Sequence, residues 1–304
     1  MDIAILVMGT KNNPSTRNIE AFKNTVVDYC VKHKDDLQHN YKFVFYYADS
    51  LVESISVTSN ETSTSFDILI PITESVHRTF EKTRTSLLVT RDIIKPDLYI
   101  RTNISTYINI PLLDKVAEQL NKDDVVFCNK IGTHLNLSSL YFNKVFPRGD
   151  LMIFNKSVVD VIDVFGKRYM YSDIDGPVTG VDHVDDCLIG VCLRDVYGSS
   201  YYKHIQMIKY NYLPESEPDY DKLNVMCIGT RLKTVPCGMH SGYSWNDNDY
   251  RLFDVIKFQD IHNIMMEYDY SNGVVLDDLV VENVYEYYVV RVAKLGSDDY
   301  DNIQ

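Results

Sequence analysis

From residue 3 to residue 165 the chain alternates short apolar runs with segments of helical period, and this alternation constrains the fold more than any other feature. Ile3 to Met8 is a continuous apolar run followed by Gly9-Thr10 and a polar loop. Arg17 to Val31 then places Ile19, Phe22, Val26, Val27 and Cys30 on one helical face. Tyr41–Tyr47, Phe66–Ile70, Leu98–Ile100, Val125–Cys128 and Leu151–Phe154 read as further strands. Glu74–Ile93, ended by Lys95-Pro96, reads as a helix, as do Ile110–Leu120 and Ser157–Phe165. A Ser/Thr-rich stretch, Ser54 to Ser65, lies between the second and third strands. Strands alternating with helices of this length predict an α/β fold with a mostly parallel sheet covered on both faces. Ligands of such sheets sit beyond the carboxyl ends of the strands, which directs attention to the loops after Met8, Ile100, Cys128 and Phe154.

The pattern loosens after about residue 200. Leu213 to Asp221, with two prolines and four acids, reads as a loop, and Val274–Val281 and Tyr285–Val292 as two β-like runs in a C-terminal extension. The last 30 residues hold seven acids and two bases, so this extension is expected to be solvated or partner-facing. The domain reading is therefore 1–265 as one catalytic-type domain, with halves 1–130 and 131–265, followed by an acidic extension over 266–304.

A net charge of −13 argues against a surface built for nucleic acid or anionic membrane, though not against a small anion in a locally basic pocket. No apolar run approaches the roughly 20 residues that span a bilayer. The start lacks the basic region of a signal peptide. The six Cys are scattered without metal spacing, so reduced thiols and a cytoplasmic location are expected. Cys187 and Cys192 sit in one predicted helix, where packing explains them. The chain also carries 23 Tyr and one Trp.

Four segments could carry chemistry. Asp182-His183-Val184-Asp185-Asp186-Cys187-Leu188-Ile189-Gly190 puts two adjacent carboxylates at the start of an amphipathic helix. They serve either as caps for orphan amides or as a general base aimed at the sheet's crevice. Leu98 to Asn109 ends a strand in Arg101, Thr102, Asn103 and Ser105, either a polar turn with Ser105 or Thr106 as cap, or a ligand-binding cluster. Gly149-Asp150 precedes a buried strand and a capped helix. Cys237 to Trp245 is rich in small and aromatic residues, with His240, Tyr243 and Trp245 among them. His204 reads as structural.

Taken in order, these segments resemble the inverting glycosyltransferases of the β-1,3-galactosyltransferase and fringe type, which have the GT-A fold and have soluble forms among large DNA viruses and bacteria. The resemblance runs over roughly residues 3 to 195. Ile5 to Thr10, with Arg17 and the helix ending Phe22-Lys23-Asn24-Thr25, is similar to the family's first strand, loop and helix. Phe80-Glu81-Lys82-Thr83 matches a Leu-Lys-Thr element, Leu98–Asn109 the strand bearing the metal motif, Gly149–Ser157 the acceptor strand, and Asp185–Gly190 the acidic pair.

The resemblance implies transfer of a sugar from a nucleoside-diphosphate sugar, UDP-linked, to a glycan or glycoconjugate hydroxyl. It implies Asp186 as the base, with Asp185 close behind. It further implies donor contacts from Gly9, Thr10, Arg17, Lys82, Arg84, Arg101, Thr102, Asn103, Ser105 and His240. Gly149, Asp150, Tyr243 and Trp245 would meet the acceptor. One departure matters: the family's Asp-x-Asp holds Mn2+ or Mg2+, and this chain has Asn103-Ile104-Ser105 instead. Neutral oxygens are poor substitutes around a hard cation. Either the metal is held weakly by Asn103, Ser105 and His240, or the cations Arg101, Lys82, Arg84, Arg17 or His240 take its place, Arg101 first among them because its planar fork suits phosphate. Two rival readings remain: a non-catalytic sugar- or nucleotide-binding protein on the same fold, and a sugar nucleotidyltransferase.

Overall fold

The computed structural model describes residues 1–11, 13–75, 78–133, 145–148, 150–170, 185–213, 220, 223–232, 252–270 and 274–281. The strands are β1 (Asp2–Met8), β2 (Asn40–Ala48), β3 (Ser56–Ser59), β4 (Ser65–Ile70), β5 (Leu98–Asn103), β6 (Thr106–Ile108), β7 (Val126–Cys128), β8 (Ile131–Thr133), β9 (Val145–Pro147), β10 (Leu151–Asn155), β11 (Ile205–Met207), β12 (Tyr210–Tyr212) and β13 (Gly229–Arg231). The helices are α1 (Asn13–Phe22), α2 (Asp28–Lys32), α3 (Thr79–Ile93), α4 (Ile110–Leu120), α5 (Lys156–Gly166), α6 (Asp185–Tyr197) and α7 (Leu252–Glu267), with a π-helical stretch over Lys23–Val27 joining α1 to α2.

Eight strands form the central sheet in the order β11-β7-β10-β5-β1-β2-β4-β3. β1 pairs in parallel with β2 and β5, β2 with β4, and β7 with β11. The sheet is thus mainly parallel, as the alternation predicts. Continuous apolar runs suit such strands because both faces are covered. Ile3, Ile5 and Val7 pack with residues of α1, α2, α4 and α7, and Ala4 and Leu6 with residues of α3, α5 and α6. Both faces of β1 are buried for that reason.

Three features depart from the sequence reading. β10 runs antiparallel to β5 and β7, so its start, and not the loop after Phe154, lies at the edge where the parallel strands end. The Ser/Thr-rich stretch contains an edge strand, β3, antiparallel to β4. The cap of α4 is Asn109, whose side chain accepts from the Leu112 N–H, rather than Ser105 or Thr106. Lys95, at φ 57°, takes the left-handed conformation that ends α3, with Pro96 preventing its continuation.

A second, three-stranded sheet, β12-β13-β6, stands beside the main one. The described beginning of the C-terminal extension is packed rather than solvated: Tyr270, Leu276 and Leu279 are buried in the same core as β1. Ile208 bridges to Val280. Cys30, Cys128, Cys187, Cys192 and Cys227 are all buried and unpaired, in keeping with a packing role for Cys187 and Cys192. Among the described residues no helix is long and apolar enough to cross a membrane.

Candidate functional site

The chain winds outward from β1 through β2 to β4, then returns to place β5 on the other side of β1. Between β1 and β5 the winding reverses, and at such a switch point the loops diverge and leave a crevice beyond the strand ends. The register sets Met8 opposite Asn103, so Gly9-Thr10 and Asn103 flank that crevice. Gly9 is buried and its N–H donates to the Tyr46 carbonyl. A Cβ at Gly9 would come within 2.7 Å of the Tyr47 ring. Thr10 is half-buried beside it.

Beneath the crevice, on the α3/α6 face, lies a buried polar network. Arg101 projects from β5 and forms an ion pair with Asp185, the first residue of α6. Both side chains are almost fully buried, at 1% and 3% exposure. Thr83 on α3 donates to Asp185 Oδ2 at 2.9 Å and lies 3.2 Å from the Tyr46 hydroxyl; the Thr79 hydroxyl accepts from the Asp185 N–H. Arg101 Nη2 also contacts Met8 Sδ. Burial works against the Arg101 charge, yet Asp185, Tyr46 and Asp186 hold its pKa above the ordinary guanidinium value. The Tyr46 hydroxyl is pushed up to about 12, chiefly by burial.

Lys82, one residue before Thr83, is buried too. Its Nζ donates to the Gly9 carbonyl at 3.1 Å and to both Glu74 carboxylate oxygens at 2.8 and 3.0 Å. Burial lowers its pKa, against the pull of Glu74. Lys82 therefore fixes the turn that follows β1.

A third group surrounds Asp150, immediately before β10. The Thr102 hydroxyl donates to the Asp150 carbonyl at 3.0 Å. Asn103 Nδ2 and Asn129 Nδ2 each lie 3.4 Å from its carboxylate, and Arg231 Nη1 lies 2.7 Å from Oδ1. Asn103 Oδ1 is buried without a hydrogen-bond partner among the described residues. Ser105 is buried, and its carbonyl accepts from the Leu232 N–H.

The structure thus brings together Gly9, Thr10, Lys82, Arg101 and Asp185, and, alongside, Thr102, Asn103 and Asp150. Asp186 follows Asp185 at the start of α6; it is half-buried, and its Oδ1 accepts from the Cys187 N–H at 2.8 Å. Arg84 is turned away, donating to Asp163 Oδ1 and to the carbonyls of Ile162 and Asp163, and so ties α3 to α5. Arg17 is exposed on α1. Gly149, His240, Tyr243 and Trp245 lie outside the described residues. His204 Nδ1–H donates to the Asp124 carbonyl at 2.8 Å and the ring stacks on Tyr197, a structural role.

The donor set among the described residues does not fit a divalent cation. Asn103 offers one amide oxygen. The neighbouring carboxylate, Asp150, is already faced by Arg231. No group of three His, Cys, Asp or Glu residues is placed to hold a metal among those described. Sequence reasoning passed over Tyr46, Glu74, Asn129 and Arg231; only Asn129 carried a signal, as the first residue after a strand end.

Fold and site together define an α/β chain with a polar crevice at the switch point of a mainly parallel sheet, underlain by a buried Arg–Asp pair. No protein-family model matches the chain, and no curated protein matches it. Among solved structures it is similar to a glycosyltransferase involved in the glycosylation of the major capsid of PBCV-1, at 10% identity and a TM-score of 0.42 over 84% of this chain and 99% of that one. It is also similar to the galactosyltransferase LgtC, solved with donor and acceptor sugar analogues, at 10% identity and a TM-score of 0.42 over 89% of this chain and 98% of that one.

Proposed function

We propose that this chain is an inverting glycosyltransferase that moves a sugar from a nucleoside-diphosphate sugar, UDP-linked, to an acceptor hydroxyl. The observation that carries the reading is the convergence on one switch point of segments that also follow one another in the glycosyltransferase-like order. Gly9-Thr10 and Asn103 edge the crevice, and the acidic pair opening α6 is anchored to β5 by Arg101.

The division of labour between the two acids follows from their surroundings. Asp185 is committed to Arg101 and Thr83, which leaves it a positioning role. Asp186, half-buried, takes the proton from the acceptor hydroxyl as that oxygen attacks the anomeric carbon. The bond from the anomeric carbon to the diphosphate oxygen breaks, and the departing diphosphate carries away the electron pair. Negative charge gathers on that leaving group, where preorganised hydrogen-bond donors at the crevice stabilise it. Mn2+ or Mg2+ as a resident cofactor is not part of this scheme, because Asn103 and Ser105 are a weak donor set.

The same amide-for-carboxylate exchange favours a second reading, a sugar- or nucleotide-binding protein without turnover. Incubation with a panel of nucleotide sugars and hydroxyl acceptors, with and without manganese, separates the two. Release of nucleoside diphosphate supports the transferase, release of pyrophosphate points to nucleotidyl transfer, and binding without turnover supports the non-catalytic protein.

A further inference from the structure

A cleft of about 730 Å³ opens where β7 and β11 end and β10 begins, with β12 and β13 along its other wall. Its lining includes four cations, Lys130, Arg148, Lys209 and Arg231, and a single carboxylate, Asp150. In a chain of net charge −13 this is a local reversal of sign. Asp150 neutralises one of the four, through Arg231 at 2.7 Å. No ion pair joins Lys130, Arg148 or Lys209 to an acid among the described residues. The Arg148 N–H donates to the Lys130 carbonyl at 2.8 Å, which keeps both cations on one wall. Lys209 is tethered from the other side by a hydrogen bond to the Asp278 carbonyl.

Arg231 supplies a second, independent observation. It is 8% exposed, and its Nη1 is close enough to Asp150 for an ion pair but is not aligned with any acceptor as a hydrogen bond. A buried guanidinium donor left in that condition is costly, and an anionic oxygen entering the cleft would satisfy it.

We propose that this cleft binds a phosphate monoester carried by the acceptor, so that the substrate glycosylated here is a phosphorylated or phosphate-linked sugar. Three cations in excess suit a dianionic phosphate, and Asn129 supplies a neutral donor for an adjoining hydroxyl. Assignment to the acceptor rests on the transferase reading, whereas phosphate binding by the cleft does not.

The test uses the intact chain and three probes followed by calorimetry: inorganic phosphate, a hexose 6-phosphate and UDP. Lys130→Gln and Arg148→Gln remove charge from residues that are not buried, and thermal unfolding of each variant checks that the fold is kept. The expected result is a loss of affinity for phosphate and hexose phosphate of about tenfold per variant, with UDP affinity unchanged. A parallel loss of UDP binding would make the cleft the donor's own diphosphate site and overturn the proposal. So would phosphate binding that is absent from the parent chain or undiminished in the variants.

Discussion

Arg101 and Asp185 form a fully buried ion pair between the central strand β5 and the first residue of α6, across 84 positions of sequence. Burying both charges is expensive, and their mutual attraction offsets that cost only while both are present. Thr83 and Thr79 supply further hydrogen bonds to Asp185. The pair thereby fixes where α6 begins, and with it the position of Asp186.

Removing one partner should therefore be far worse than removing both. Arg101→Met leaves Asp185 buried and unpaired, and is expected to lower stability by about 3–5 kcal/mol. Arg101→Met combined with Asp185→Leu should recover most of that loss. Urea unfolding of the two single variants and the double variant checks this. Additive losses would show that the two charges do not stabilise each other.

Asp186→Asn tests the other half of the acidic pair. The side chain is half-buried, so stability should change by less than about 1 kcal/mol. Transfer should fall by orders of magnitude with donor affinity spared, the signature of a group that acts only in the transition state. Asp185→Asn should show the reverse balance, with stability lost first. If donor binding and turnover fall together in Asp186→Asn, the base is elsewhere.

Alkaline pH offers a test of the tyrosine-rich core. Burial raises Tyr46, Tyr270, Cys128 and Cys192 to about 12 each, from ordinary values of 10 for the tyrosines and 9 for the cysteines. The folded state holds these protons more tightly than the unfolded chain. Their contribution is complete below pH 9 and is lost as the pH climbs toward 12. Lys82 works in the opposite sense: burial lowers its pKa, so its deprotonation favours the folded state as pH rises. Because the raised tyrosines and cysteines outnumber Lys82, the urea midpoint should fall steadily from pH 9 to pH 11. A flat profile over that range would contradict the burial of these side chains.

Gly9 is expected to tolerate no side chain. The Cβ of Gly9→Ala would lie 2.7 Å from a Tyr47 ring carbon and 3.1 Å from Ile19 Cδ1. Such overpacking costs about 1–3 kcal/mol. Adding Tyr47→Leu should relieve most of it, and thermal unfolding of both variants measures the difference. Equal instability of the single and double variants would place the strain elsewhere.

The sheet was legible in the sequence because strands buried on both faces are continuous apolar runs, and β1, β2, β5 and β10 are of that kind. β3 was not, because Ser56–Ser59 is an edge strand largely open to solvent and carries no apolar alternation. α7 was missed for a related reason. Phe258, Ile261 and Met265 are buried while Ile256 is 61% exposed, so its apolar residues run around the helix without marking one face. At the site, strand ends pointed to Gly9 and Asn103. Sequence could not show that Arg101, the first choice to meet a phosphate, spends its charge on Asp185. That pairing depends on how α3 and α6 pack on β5, and no local pattern records it.

The most direct measurement follows the fate of one oxygen. A nucleotide sugar carrying 18O between the anomeric carbon and the outer phosphate is incubated with the chain and a hydroxyl acceptor, and the products are weighed by mass spectrometry. Glycosyl transfer breaks the carbon–oxygen bond, so the account predicts the label in the released nucleoside diphosphate and an unlabelled glycoside. Label retained in a sugar phosphate, or no release at all while the nucleotide sugar binds, would contradict it.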